Sequence, residues 1–280
     1  MRDTVISRFW KQRQAKIGVV LTGAVVLLAF LGPLLLPWAT GYTSTEFAGR
    51  PFQSDGLFGT DNLGRDVGSR FLAGGFNLII FAALATLIGL VLGLILGMTA
   101  AYRGGWADSL IMRLNDVLLS VPQLIVALLA VTVLGPQGWV IVAVIGLTHA
   151  PRIARVVRSA TLDVVNEDYI RVAEMYAMPR WRILTREILP NITGPIAVEA
   201  GLRLTYSIGA IASLSFLGLG LHPPAADWGL MINVNRIAIS LQPAGVLLPV
   251  LAIAVLTIGT NLIADSIAQA SSNSSGGGNS

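Results

Sequence analysis

The sequence predicts an all-α, polytopic membrane protein with six transmembrane helices, and three observations carry that prediction. Hydrophobic residues make up 54% of the 280-residue chain against 12% charged, a balance that suits lipid rather than water as solvent. Six apolar stretches reach or approach the roughly 20 residues that a helix rising about 1.5 Å per residue needs to cross about 30 Å of hydrocarbon. Lys and Arg, finally, crowd into the connections on one side, as they do in cytoplasmic loops.

The first stretch, Ile17 to Trp38, follows Arg2, Arg8, Lys11, Arg13 and Lys16. It exceeds the roughly 7 to 15 residues of a secretory signal core and no clear small-x-small cleavage site follows, so it reads as an uncleaved first span. The second, Leu78 to Tyr102, carries Gly89, Gly93 and Gly97, in step with Ala85. Small residues at every fourth position form a groove that another helix can approach closely, although small residues are common in membrane helices anyway. Whether the partner lies in this chain or another stays open. The third, Leu110 to Leu134, contains Asp116 and Pro122, and a kink is predicted at the proline.

The fourth stretch, Trp139 to Ile153, is purely apolar only as far as His149, so its helix must run on through Arg152 and Arg155 into water. The fifth, Ile192 to Phe216, contains Glu199 and Arg203, four apart and able to pair on one face. Two readings stand for them and for Asp116: a structural ion pair or snorkelling charge, and a place in a translocation path or gate. The sixth runs from Val246 to Ile267.

With the N-terminus inside, one side collects the five N-terminal charges with Arg103, Arg113, Arg152, Arg155, Arg158, Arg171, Arg180, Arg182 and Arg186. The other holds Arg50, Arg65, Arg70 and Arg236, and Arg203 falls within the fifth span. Both termini are then cytoplasmic. The segments from Thr40 to Gly75 and from Gly218 to Gly245 lie outside, and Arg155 to Asn191 lies inside. The expected organisation is an N-terminal segment, first span and outer loop over residues 1–73, a permease-like core over 74–268, and a tail over 269–280. From Ser271 the tail contains only Ser, Asn and Gly, which bury nothing, and it is expected to be disordered.

Several function classes drop out. There is no cysteine, hence no disulfide or thiolate metal site. His149 and His222 are the only histidines, and the topology places them in opposite halves of the membrane, where they share neither a metal nor a proton relay. The net charge of +4 and the pI near 9.8 come from scattered residues rather than one basic face, which argues against nucleic acid as a partner. The only lysines, Lys11 and Lys16, do not follow glycine, so the chain has no Gly-Lys-Ser/Thr phosphate loop. Asp61, Arg65 and Asp66 form an outer charged cluster that reads as an ion pair or cap, or as a solute contact. No catalytic set emerges, and neither cofactor nor metal is expected.

Between the fourth and fifth stretches, Tyr169, Val172 and Tyr176 share one helical face, and after Ala177, Met178 and Pro179 the residues Trp181, Leu184 and Ile188 repeat the pattern. The reading is helix, sharp turn, short helix, with Pro179 in a first helical turn. The apolar stripe either docks a partner or packs against this chain's own helix ends.

At this segment the chain resembles the inner-membrane permeases of ABC importers, in particular the second permease of dipeptide, oligopeptide and nickel systems. The match runs through Asp168, Tyr169, Arg171, Ala173, Trp181, Arg182, Arg186, Leu189, Pro190 and Asn191. Arg171 stands for the family's Glu, Val172 for its first Ala, Glu187 for a frequent His, and Ala177 for its Gly. A glycine at 177 would allow a left-handed turn cheaply, so the turn is either right-handed or strained. Three further stretches are similar to the same subfamily: Leu57 to Asp66; Ser213 to Gly220 with Pro223, Pro224, Trp228 and Gly229; and Leu248-Pro249 with Asn261 and Asp265.

The resemblance implies a type I importer permease fold with cytoplasmic coupling helices between spans four and five. It assigns ATPase docking to Asp168, Tyr169, Arg171, Val172, Ala173, Glu174, Tyr176, Ala177 and Pro179. It also implies a second homologous permease, two ATPase subunits or domains that bind ATP and Mg, and an extracytoplasmic solute-binding protein, at the cytoplasmic membrane of a prokaryote. The expected function is half of a translocation pathway for peptides. The alternatives are nickel or another small solute on the same architecture, and, from another class, a secondary transporter driven by an ion gradient.

Overall fold

The computed structural model describes residues 5–39, 41, 43–53 and 58–275. Leu57 at the head of the outer-loop motif, Arg2 of the basic run, Thr40 and residues 276–280 of the tail lie outside that set. Among the described residues the regular structure is helical, joined by loops, with two isolated antiparallel bridges, Phe47 with Arg65 and Thr60 with Asp66. A short helix α1 (Val5–Lys11) leads into α2 (Arg13–Ala39), followed by α3 (Val67–Arg103), α4 (Gly105–Ser120), α5 (Gln123–Leu134) and α6 (Gly138–Val165). A hairpin of α7 (Asp168–Met175) and α8 (Arg180–Arg182) returns through a π turn (Ile183–Ile188) and a 3-10 turn (Leu189–Ile192). The chain then forms α9 (Thr193–Phe216), α10 (Trp228–Asn235) and α11 (Ala244–Ser275).

Helices α2, α3, α6 and α11 are each long and apolar enough to cross a membrane. The third expected span is not one helix: α4 and α5 qualify only together, bent by 79°. Val121 is extended with ψ 128°, as a residue before proline prefers, and Pro122 has no N–H with which to continue the ladder. Helix α9 has 24 residues, about 36 Å at helical rise, which is span length, but Glu199 and Arg203 interrupt the sustained apolar stretch that the other four possess. Helix α6 does run on past Arg155, to Val165, as its charged end required.

Helix α3 packs most extensively against α6, and the three glycines explain why. A Cβ built on Gly93 would lie 2.5 Å from Ile153 Cβ; on Gly89, 2.8 Å from His149 Cβ; on Gly97, 2.6 Å from the Ala154 carbonyl oxygen. The seam therefore closes within this chain. Helix α6 answers with its own small row, Gly146, Ala150 and Ala154, and a Cβ on Gly146 would stand 2.8 Å from Ile88 Cβ. Two rows of small residues bring the backbones together where lipid supplies no hydrophobic drive between helices. Helix α11 lies against α2 and α9, and α9 against α3.

At the end of the bundle where α3 begins, Asp61 is fully buried between Arg65 and Arg70. Its Oδ2 meets Arg65 Nη2 at 2.7 Å and Arg70 Nε at 3.4 Å, while Oδ1 accepts from the Leu63 and Arg65 amides. Asp66 caps α3 by accepting from Ser69 N at 2.6 Å. Arg70 Nη2 donates to the Ala225 carbonyl at 2.9 Å, and Trp228 Nε1 to the Phe71 carbonyl at 2.8 Å, tying the segments before α3 and before α10 together. The charged cluster is thus an ion pair and a cap.

The described part of the tail differs from expectation, since α11 continues to Ser275. Extending a formed helix by a few serines and asparagines costs only some tenths of a kcal/mol per residue, far less than nucleating one.

Candidate functional site

The hairpin is built around a left-handed alanine. Helix α7 ends in a Schellman arrangement: Met178 N donates to the Ala173 carbonyl at 3.2 Å, and Ala177 N to the Glu174 carbonyl at 2.9 Å. That closure puts Ala177 at φ +53°. The strained alternative is therefore the one realised, because the two bonds satisfy carbonyls that would otherwise stay orphaned at the helix end. Pro179 sits one position earlier than expected, as the extended residue preceding α8 rather than within its first turn. Asp168 stands in the first turn of α7, where a carboxylate suits the helix dipole, with Arg171 at 3.8 Å on the exposed surface.

The two faces of the hairpin have different owners. Ile170 and Ala173 point into the chain and, with Ile153 and Val157 of α6 and Ile183, Ile188 and Ile192 of the return leg, form a buried cluster. Ala173, at 9% exposure, is thereby removed from any docking surface. The opposite face is bare: Tyr169 and Val172 are exposed, Met175 and Tyr176 are 84% and 81% exposed, and Trp181 joins them from the return leg. The predicted stripe of Tyr169, Val172 and Tyr176 therefore does not pack against the chain's own helix ends; Ile170 and Ala173 do. Met175 escaped the sequence reading although it lies three residues beyond Val172 on the same face. Glu174 accepts from Tyr102 Oη at 2.8 Å, fastening the hairpin to the end of α3. Partial burial and the carboxylates of Glu167 and Glu187 hold the Tyr169 phenol above its ordinary pKa, so it stays neutral.

The return leg corrects the expected periodicity. Ile183 and Ile188, five apart, are both fully buried, whereas Trp181 is exposed. Five residues place side chains on one face only where hydrogen bonds run from i to i+5, as in this π turn, where Leu189 N reaches the Leu184 carbonyl. Pro190 supplies no N–H, and the helix resumes only after the 3-10 turn.

Glu199 and Arg203 of α9 are buried side by side, Oε1 to Nε at 2.8 Å, an ion pair without hydrogen-bond alignment. The Arg203 guanidinium also lies over the Tyr206 ring at 4.9 Å. Asp116 is not brought to them: it pairs with Arg155 of α6 at 2.7 Å, both largely exposed. Next to it Arg158 holds Asp108 through two bonds of 2.5 Å, so α4 is clasped to the wet end of α6. Two features were missed in the sequence. His149 Nε2 and Ser207 Oγ are 2.9 Å apart, and Ser207 and Thr86 Oγ are 3.1 Å apart, a buried polar link across α6, α9 and α3. A cleft of about 480 Å3 between α5, α9 and α11 is lined by Gln123, Thr205, Tyr206, Ser213 and Asn261 among others. Only proximity in the fold collects these polar groups, which are separated by up to half the chain.

Comparison with known proteins places this geometry. Residues 89–273 match the family described as binding-protein-dependent transport system inner membrane component. The glutathione transport system permease protein GsiD of Pectobacterium atrosepticum is 35% identical over 267 residues, 94% of this chain and 89% of the relative. The dipeptide transport system permease protein DppC of Alkalihalophilus pseudofirmus is 32% identical, over 93% and 86% of the two chains. The oligopeptide transport system permease protein OppC of Bacillus subtilis is 30% identical, over 94% and 86%. Among solved structures, the inward-facing MetNI methionine ABC transporter aligns with TM-score 0.54 and 16% identity, over 71% of this chain and 96% of that one, which establishes a shared fold. A helical core closed by a glycine seam, a hairpin with one bare apolar face, and these matches agree: the chain belongs to the family of binding-protein-dependent transport system inner membrane components.

Proposed function

We propose that this chain is one of two permeases of an ATP-driven peptide importer, forming half of the path across the cytoplasmic membrane of a prokaryote. The observation that carries the coupling is the bare face of Val172, Met175, Tyr176 and Trp181, a patch of large apolar side chains on a rigidly closed hairpin. The ATPase subunits seat on that face and bring ATP and Mg; this chain itself binds neither. A second, homologous permease supplies the other half of the path, and a solute-binding protein delivers peptide to the outer segments. Peptide as solute is supported by the names of the relatives, which carry dipeptide, oligopeptide and glutathione. Both termini face the cytoplasm in this reading, which the distribution of arginines and lysines supports.

The hairpin transmits force only if it binds the open and closed ATPase dimers unequally, and its anchoring makes that possible. The inward face joins α6 and the return leg in one cluster, so a push on α7 moves α6 and α9 together. The polar cleft along α9 is the surface such a motion would open and close. The test is reconstitution with the partner chains and uptake of labelled peptide into vesicles holding ATP. Uptake is expected to need ATP and the ATPase subunits and to survive collapse of the ion gradients. Uptake that persists without the ATPase and vanishes with the gradient would establish a secondary transporter instead. Uptake of nickel but not peptide would change the solute.

A further inference from the structure

The cleft between α5, α9 and α11 holds about 480 Å3, within the roughly 300–1,000 Å3 of small-ligand sites. Two of its polar side chains sit deep in the spans: Tyr206 and Asn261 stand near the middles of α9 (Thr193–Phe216) and α11 (Ala244–Ser275). Both are exposed, and neither the Tyr206 phenol nor the Asn261 amide has a hydrogen-bond partner among the described residues. The other polar groups are already engaged. Ser213 Oγ donates to the Gly209 carbonyl and Thr257 Oγ1 to the Ile253 carbonyl, both at 2.7 Å, which leaves each hydroxyl oxygen as an acceptor. Gln123 belongs to the wall: its Oε1 accepts from Arg152 Nη1 at 3.3 Å and its Nε2 is buried.

A side-chain amide exposed at mid-span is answered by water or a polar solute, not by acyl chains. The α9 wall is also open where other helices of this chain close on one another. A Cβ built on Gly209 would meet nothing within 4 Å, whereas one on Gly93 would lie 2.5 Å from Ile153. The lining narrows the solute further, since it contains no Asp, Glu, His, Lys or Arg. Arg203 lies over the Tyr206 ring but is paired with Glu199, and Arg152 is bonded to Gln123. An uncharged site selects neither an acidic nor a basic side chain, and without imidazole or carboxylate it offers a nickel ion no protein ligand of the usual kind. A side-chain amide both donates and accepts, so it can pair with the N–H and C=O of one residue of an extended chain, which point the same way. The walls are also elements that the hairpin reaches. Helix α9 continues the return leg, and Gln123 ties α5 to α6, whose Ile153 and Val157 pack against Ile170 and Ala173.

We propose that this cleft is a main-chain binding site for the transported peptide, in which Asn261 takes the N–H and C=O of one residue and Tyr206 Oη holds a further backbone group. The inference rests on the reading of the chain as a peptide permease. It makes recognition at this site independent of side chains, so that one cleft passes peptides of different sequence.

The assembled transporter, reconstituted with its partner chains and internal ATP, is given labelled neutral, acidic and basic peptides below saturation. Asn261→Leu and Tyr206→Phe should each lower uptake of all three about two- to tenfold, the worth of one neutral hydrogen bond, with co-purification of the ATPase unchanged. Asn261→Asp, equal in size, should favour the basic over the acidic peptide by about fivefold, a change of selectivity that a merely structural residue does not produce. A benzophenone photoprobe in place of Leu124, in the cleft wall, should label the peptide during turnover; one in place of Leu87, on the exposed flank of α3, should not. If Asn261→Leu does not assemble, Asn261→Asp and the photoprobe still decide. Uptake and selectivity unaltered in all three variants, or peptide labelled from neither position or equally from both, overturns the site and leaves the permease reading in place. Labelling of the second permease instead of peptide from position 124 also overturns it, by placing a protein helix in the cleft. Absence of ATP-dependent peptide uptake by the unaltered transporter overturns the permease reading, and the site with it.

Discussion

Replacing Ala177 with glycine should make the hairpin more rigid, although it deletes a methyl group and adds no contact. Ala177 lies at φ +53°, where a side chain crowds the following carbonyl at a cost of about 1–2 kcal/mol. Glycine removes that cost but loses about 0.5–1 kcal/mol to its greater freedom in the open chain. The balance is a gain of about 0.5–1 kcal/mol, a two- to fivefold drop in the population of the opened turn. The direct readout is hydrogen exchange at the Ala177 and Met178 amides, which donate to the Glu174 and Ala173 carbonyls. Exchange in the full-length protein should slow two- to fivefold in Ala177→Gly. It should accelerate in Ala177→Val, because a β-branched side chain tolerates the left-handed region less well than alanine. Faster or unchanged exchange in Ala177→Gly, with Ala177→Val also unchanged, would mean that the turn is not left-handed, and the Schellman closure would fall with it. The turn thus carries strain at Ala177, which a glycine would relieve.

Three other perturbations test the packing and the docking face. Gly93→Leu forces a side chain into a space where a Cβ alone would stand 2.5 Å from Ile153, so the thermal midpoint of the purified chain should fall by the equivalent of about 1–3 kcal/mol; an unchanged midpoint would place the seam elsewhere. Met175→Asp and Tyr176→Asp each put a charge on the bare face and should reduce co-purification of the ATPase at least tenfold while leaving the isolated chain stable, whereas Ala173→Asp buries a charge in the chain's own cluster and should destabilise it without any partner. Asp61→Asn leaves Arg65 and Arg70 buried without their carboxylate, for which a loss of about 3–5 kcal/mol is expected in thermal unfolding; a loss below 1 kcal/mol would show that water reaches the site.

The architecture was legible in the sequence because the signals that specify it are local. Length and hydropathy select α2, α3, α6 and α11, since the bilayer sets one length scale for all of them. The spacing of Gly89, Gly93 and Gly97 announced a close approach, and Tyr169, Val172 and Tyr176 announced an apolar stripe, because a helix converts steps of three and four into one face. Pro122 marked the break between α4 and α5 but not its size, since an angle of 79° depends on what each half packs against.

What a side chain meets is not local, and there only the tertiary structure decided. The resemblance grouped Ala173 with the expected docking residues, but burial against Ile153 and Val157 assigns it to the chain's own core. The π turn escaped because a step of 3.6 was assumed where hydrogen bonds run to i+5, and that register is adopted so that Ile183 and Ile188 can both be buried. The choice at Ala177 between a relaxed right-handed turn and a strained left-handed one depended on two hydrogen bonds to carbonyls of α7. The cleft lined by Ile6, Phe9, Ala197 and Ile267 is assembled from α1, α9 and α11, elements far apart in the chain. Local spacing specifies helices and their faces; which face meets lipid, another helix or another protein is fixed by long-range packing, because burial is a property of the pair and not of either residue.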